Sequence, residues 1–308
     1  FQNNLKSVRI PMLKSKNTKN FFHIVSIGLC VVFAFIILYY NGLRFHFSLI
    51  DVYENRAEAS IIEKKMPLIL FYIKGWARLF LPILLLYTLI IKERIFFILL
   101  LLVAFLNFSF GAAKADAFMI ILAIMLYFCY KPNRLNWIPN IFTTLNIMLS
   151  LKIMFVVLGS ILVFRLMFIP AQLSFIYYDF FSSHELLFLR ESLFKWLGIL
   201  SPYETPIVYI IGDVYFHDPE SCANQGLIGD AFANFGWYSL LVYPFLWALL
   251  GKVVDGFVKE IDMRIQALLA YWTAALLISG TYFSIFLSGG ILPILCLLYL
   301  MPRQVNEK

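Results

Sequence analysis

Long apolar runs broken by short polar stretches organise this chain. Eight runs predict helices at roughly 21–40, 67–91, 95–110, 115–130, 150–170, 235–251, 265–282 and 288–302. About 20 apolar residues cross a bilayer's hydrocarbon core, and fewer suffice where helices pack and their ends snorkel. The third and fourth runs, and the seventh and eighth, are short and closely coupled, which suggests tight helical hairpins. Two polar stretches stand out: a first external loop over 41–66 and a larger one over 170–234. The larger loop keeps Phe194, Trp196, Tyr203, Tyr209 and Tyr215. So aromatic a segment is expected to lie on the membrane surface or to fold over the helices as a lid. Within it Leu186, Leu189, Leu193 and Leu197 recur at three- and four-residue steps, predicting a helix over 184–199, while Pro202, Pro206 and Pro219 punctuate the rest of the loop. No internal repeat is present. The fold class expected is all-α: a polytopic helical membrane protein forming one integral membrane domain over 1–308.

Composition sharpens that reading. The chain is 62% hydrophobic and 14% charged, whereas soluble domains are about half apolar and a quarter charged. A soluble enzyme is excluded. The four cysteines, Cys30, Cys129, Cys222 and Cys296, are scattered and form neither a disulfide framework nor a thiolate metal site. The first residue is Phe1, so a processed N-terminus or a piece of a longer protein is expected. Lys6, Arg9, Lys14, Lys16 and Lys19 form a basic leader of the kind held in the cytoplasm.

Charge sets sidedness. With eight spans both termini share a side, and the segments on that side carry 15 of the 25 Lys and Arg, against 7 on the other. Thirteen of the 18 acids fall opposite. The termini are therefore expected in the cytoplasm, with both polar loops facing outward.

Cations within spans are costly enough to need a reason. Lys74 and Arg78 are four apart on one face of the second helix; Lys114 and Asp116 occupy a small-residue turn, "FGAAKADAF"; Arg165 lies a turn before the fifth helix surfaces. All gather near the outer leaflet. Snorkelling to the headgroups, or mutual neutralisation of Lys114 and Asp116, accounts for them structurally. The functional alternative is convergence on an anion there, such as a lipid diphosphate.

The run "YYDFFSSHELLFLRES", Tyr177 to Ser192, adds Asp179, His184, Glu185, Arg190 and Glu191. These are acid–base groups, although a histidine in an aqueous loop is commonly just solvated. "NQGLIGDAFANFGWYSLL" comes next. Its Gly226, Gly229 and Gly236 permit close backbone approach, and Asp230 and Asn234, four apart, share a helical face. Capping and small-residue packing compete there with recognition of sugar hydroxyls. No P-loop, dinucleotide fingerprint, HExxH or GxSxG occurs, and His and Cys spacing offers no metal cluster.

Four stretches carry a resemblance: "DVYENRAEAS", "FGAAKADAFMIILAIMLYF", "FRLMFIPAQLSFIYYDFFSSHELLFLRES" and "NQGLIGDAFANFGWYSLLVYPFLWALLGKVVDG". In sequence and order, over about residues 50–256, they resemble the bacterial oligosaccharide repeat unit polymerases, the Wzy-type O-antigen polymerases of lipopolysaccharide and polysaccharide biosynthesis. The resemblance implies a GT-C-like membrane glycosyltransferase of the bacterial inner membrane, its active site facing the periplasm. Such an enzyme moves a growing glycan from undecaprenyl diphosphate onto a new lipid-linked repeat unit, with no cofactor, metal or nucleic acid. It also allows a polysaccharide chain-length regulator as partner, and N-terminal spans beyond these eight. By position it makes His184 a catalytic candidate, and Arg165, Arg190 and Arg56 candidates for the diphosphate. To these the chemistry adds the carboxylates Asp179 and Glu185 as alternative bases, and the cations Lys114 and Arg78 as further diphosphate contacts. Asn224, Asp230, Asn234 and Tyr178 become candidates for sugar. Lys114 stands where an arginine is expected, keeping the charge without the bidentate fork. An O-antigen ligase, using the same donor, and a lipid-linked oligosaccharide flippase are the alternative readings.

Overall fold

The computed structural model describes residues 18–42, 52–111, 114–130 and 168–303. Among these the chain is all-helical. The elements are α1 (Thr18–Asn41), α2 (Val52–Lys64), α3 (Leu68–Ile91), α4 (Arg94–Gly111), α5 (Lys114–Cys129), α6 (Ile169–Ser183), α7 (Ile207–Phe216), α8 (Leu227–Phe235), α9 (Ser239–Val258), α10 (Met263–Ser279), α11 (Ser284–Leu287) and α12 (Ile291–Leu300), with short 3₁₀ turns at Phe194–Leu197 and Gly236–Tyr238. Four helical stretches are long and apolar enough to cross a membrane: Thr18–Asn41, Leu68–Ile91, Arg94–Gly111 and Leu227–Val258. The predicted spans at 115–130, 265–282 and 288–302 are shorter helices, and the span at 150–170 lies outside the described residues up to 167. The described residues fall into two compact units, 18–130 with 252–272 and 287–303, and 168–251 with 273–286.

In the first unit α3 is the central helix, packing on α1, α4 and α5. From Leu79 to Thr88 every residue of α3 is buried, so this stretch is apolar all round and surrounded on all sides. The helices around it are one-sided. On α1, Phe22, Ser26, Cys30, Phe33 and Ile37 are buried, while Ile24, Ile27, Val31, Phe35 and Tyr39 are exposed. Large apolar side chains left outward along a 24-residue helix are costly in water and at home in lipid, so the protein is membrane-embedded. α3 ends at Lys92, whose left-handed backbone (φ 63°) lets its N–H reach the Leu89 and Thr88 carbonyls and turns the chain into α4.

In the second unit α6, α7 and α8 enclose a small core of Leu173, Tyr177, Phe180, Phe181, Leu187, Ile207 and Ile211. The region 170–234 is thus a folded helical body with an apolar centre of its own. The helix expected over 184–199 does not form. Phe188 and Leu189 both adopt left-handed backbone (φ 48° and 63°), and the 3₁₀ turn Phe194–Leu197 comes after them. The cause is competition for backbone partners, since Leu187 N–H donates to Ala233 O (2.9 Å) and Phe188 N–H to Asn234 O (3.3 Å). Of the four leucines in that pattern Leu189 is buried and Leu186 half-buried, while Leu193 and Leu197 are exposed.

Candidate functional site

The polar run of the second unit is built onto the C-terminal end of α6. His184 caps that helix, its backbone N–H donating to Phe180 O. Its exposed imidazole stacks on the Phe180 ring at 4.0 Å with 6° between planes. Nδ1 lies 2.8 Å from Phe180 O, an acceptor only, and 3.0 Å from Ser183 Oγ. A carbonyl only accepts, so Nδ1 carries a proton, and in the neutral ring the lone pair is then on Nε2. The ring is thereby oriented by its own helix end, with its basic nitrogen on the other edge.

Arg190 closes the turn after α6. Its Nε donates to Leu187 O (2.9 Å), and its Nη2 to Leu186 O (2.8 Å) and to Glu185 Oε1 (2.6 Å). The guanidinium thus fixes the turn and neutralises Glu185 with one edge; these three bonds leave Nη1 unused. Asp179 is exposed one turn back on α6 and accepts a hydrogen bond from Tyr215 Oη at 2.6 Å. Tyr178, beside it, packs against Phe232 and Trp237, with ring centres at 5.0 and 5.9 Å. Tyr203 Oη donates to Glu185 O (2.7 Å). Glu191 turns inward to the start of α7, where both its oxygens accept from Ile207 N–H (3.1 and 3.2 Å) and one from Ser201 Oγ (3.2 Å). Burial pushes its carboxyl above the ordinary carboxylate range, while the Ile207 and Ser201 hydrogen bonds and nearby Lys195 pull it the other way.

Beneath this turn lies a buried polar knot. Asp230 and Asn234 do share a face of α8, and they bond directly: Asn234 Nδ2 donates to Asp230 Oδ1 at 3.0 Å. Asp230 Oδ2 accepts from Tyr243 Oη and from Tyr282 N–H, both at 2.8 Å. Asn234 Oδ1 accepts from Leu189 N–H at 2.7 Å. The knot ties α8, α9, the backbone at Tyr282 and the turn carrying Arg190 together. Asp230 and Asn234 are 7% and 3% exposed, so the knot's place is behind the exposed groups. Asn224 is exposed, nearer the start of α8. Close approach explains Gly226: a Cβ there would stand 2.2 Å from Leu277 O.

The first unit holds a separate polar set. Arg78 Nε donates to Asp116 Oδ1, and Asn107 Nδ2 to Asp116 Oδ2 at 3.0 Å, so the carboxylate that pairs with Lys114 in the sequence is neutralised by α3. Lys74 pairs with Glu63 and sits 4.3 Å from the centre of the Phe110 ring. These cations therefore have partners within their own unit. Arg78→Ala leaves Asp116, 6% exposed, with Asn107 but no positive partner among the described side chains. A loss of about 2 kcal/mol is expected, read as a lower unfolding temperature in detergent, with much of it regained when Asp116→Ala is added. Equal stability of Arg78→Ala and the parent excludes this pairing as a structural element.

Of the remaining candidates, Arg165 lies outside the described residues, Arg56 is on α2 and Lys114 opens α5, with the side chains of both outside the described set. Sequence reasoning missed Tyr243 and the Tyr282 N–H. No local spacing announces either, because they reach Asp230 from 13 and 52 residues away. Glu191 reads in the sequence as an acid–base group, whereas it caps a helix; Pro206 just before an apolar run is the signal that a helix start there needs a cap. Among the described residues no cluster of His, Cys, Asp and Glu could hold a metal ion. Comparison of the chain with protein-family models, with curated proteins and with solved structures finds no match.

Proposed function

We propose that the chain is a GT-C-like membrane glycosyltransferase of about eight spans that polymerises lipid-linked oligosaccharide repeat units. It transfers the growing glycan from undecaprenyl diphosphate to a new undecaprenyl-diphosphate-linked unit, at the outer face of the bacterial cytoplasmic membrane with the termini of this chain inside. The observation that carries the reading is the pinned turn after α6. A chain this apolar would be expected to lose an idle polar run, yet this one is anchored by side-chain and backbone bonds that leave His184, Glu185 and Asp179 exposed.

In this reading an acceptor hydroxyl oxygen attacks the donor's anomeric carbon and forms the new glycosidic bond. The bond from that carbon to the diphosphate oxygen breaks, and undecaprenyl diphosphate departs with its electrons. The acceptor proton passes to His184 Nε2, the ring's lone-pair nitrogen. Arg165 and Arg190 stabilise the departing charge. Tyr178, Asn224, Asp230 and Asn234 are the groups for sugar, the last two by holding the surface behind it. A chain-length regulator is a partner this activity would accommodate.

Purified protein in liposomes, given one defined lipid-linked repeat unit, is expected to form a ladder of products on a gel. Polymer from that substrate alone excludes a ligase, and Arg165→Ala at unchanged protein level should abolish it. A normal ladder from that variant removes Arg165 from the mechanism, and no ladder from the parent protein sinks the activity.

A further inference from the structure

Outside the polar run, the first unit has a groove of about 510 Å³ between α1 and α4, within the roughly 300–1,000 Å³ of sites that hold small organic molecules. Its α1 wall runs from His23 to Ala34 and its α4 wall from Ile95 to Val103. At 1.5 Å per residue these walls are roughly 12–17 Å long. That is about half of a ~30 Å hydrocarbon core, hence one leaflet deep. Ile27, Val31, Leu99 and Leu102 line it and are large, apolar and exposed.

The mouth is the opposite in character. His23 and Glu93 line that end, with Nδ1 and Oε2 at 3.8 Å, and both side chains remain substantially exposed. Lys19 precedes His23 by one helical turn, and Lys92 and Arg94 flank Glu93; all three are exposed. His23 and Glu93 thus mark the polar end of an apolar furrow one leaflet deep, with Lys19, Lys92 and Arg94 next to them along the chain. By the Lys and Arg balance this mouth faces the cytoplasm.

We infer that the α1–α4 groove is a binding site for a glycerophospholipid with a primary-ammonium headgroup, taken from the inner leaflet. One acyl chain fills the furrow between Ile27, Val31, Leu99 and Leu102. The phosphate meets the cations of the rim, and the ammonium meets Glu93. A polyprenyl diphosphate is the wrong occupant, because the mouth is on the wrong side for an external reaction and such a headgroup offers Glu93 no cation. The site stands independently of the glycosyl-transfer reading.

Native mass spectrometry of the full chain, released from detergent after incubation with phosphatidylethanolamine or phosphatidylglycerol of identical acyl chains, tests the inference. One phosphatidylethanolamine is expected to be retained in several-fold preference. Leu99→Trp fills the furrow and should remove both lipids, whereas Glu93→Gln should lower the preference and leave total binding intact. Ile98→Trp, on the exposed face of α4, is the control; loss equal to that of Leu99→Trp means unspecific annular lipid and overturns the site. A measurement free of variants uses phosphatidylethanolamine with a diazirine in its acyl chain. Photolysis should label peptides covering 23–34 and 95–103. Label spread evenly over exposed helices, or missing from those peptides because the chain itself or a second copy fills the groove, also overturns it.

Discussion

Asp230→Ala is expected to destabilise the second unit more than a change at any other residue of the polar turn or the knot beneath it. The Tyr243 hydroxyl and the Tyr282 N–H lose the carboxylate oxygen they share, and the Asn234 amide loses one of its two bonds to Asp230, keeping the one to the backbone carbonyl at 2.8 Å. Each buried polar group left without a partner costs about 1–3 kcal/mol, so the total should reach about 3 kcal/mol or more. Asp230→Asn is the informative companion. With its oxygen in the place of Oδ2 it keeps the acceptor that Tyr282 N–H and Tyr243 share but sets a second NH₂ against Asn234, so its loss should fall between parent and Ala. The change should also reach the turn, because Asn234 Oδ1 holds Leu189 N–H at 2.7 Å and Leu189 has a left-handed backbone that needs such support. Thermal unfolding in detergent measures the first effect, and protease cutting within 185–195 the second. An unfolding temperature within a degree or two of the parent would mean that the knot contributes little, and the turn would need another anchor.

The long apolar helices were legible because membrane burial asks only for sustained apolarity. The runs at 21–40, 67–91 and 95–110 appear as Thr18–Asn41, Leu68–Ile91 and Arg94–Gly111. Asp230 and Asn234 were legible as partners for a similar reason, since a four-residue spacing on one helix fixes which side chains meet. Tertiary pairing set the rest, and no local pattern reports it. Arg78 finds Asp116 38 residues away. Leucines at helical steps over 186–197 fail to make a helix because the backbone there bonds to the end of α8, and two of them, Leu193 and Leu197, end up exposed. Leucine spacing here reports neither burial nor backbone, and the competing hydrogen bonds decide the turn.

His184→Ala separates chemistry from structure, because little of the fold rests on this exposed ring. The variant loses a stacked contact with Phe180 and one hydrogen bond to Phe180 O; the helix-capping bond from the His184 backbone remains. Stability should stay within about 0.5 kcal/mol, as for most surface changes. If Nε2 takes the acceptor's proton, the rate of polymer formation should fall by about 10²–10⁴-fold, with the unfolding temperature unmoved. Arg190→Ala is the contrasting case. It strips the donors that close the turn onto Leu186 O and Leu187 O, so activity and stability should fall together. Arg190→Lys should not restore either fully, because an ammonium lacks the planar fork. Full activity in His184→Ala would transfer the base role to Glu185 or Asp179. Of these, Asp179 already accepts from Tyr215 and Glu185 is paired with Arg190. Each carboxylate has two oxygens, and these bonds occupy one of them, so either could still take a proton. Glu185→Gln and Asp179→Asn, which keep the shape and remove that capacity, are the variants that decide between them.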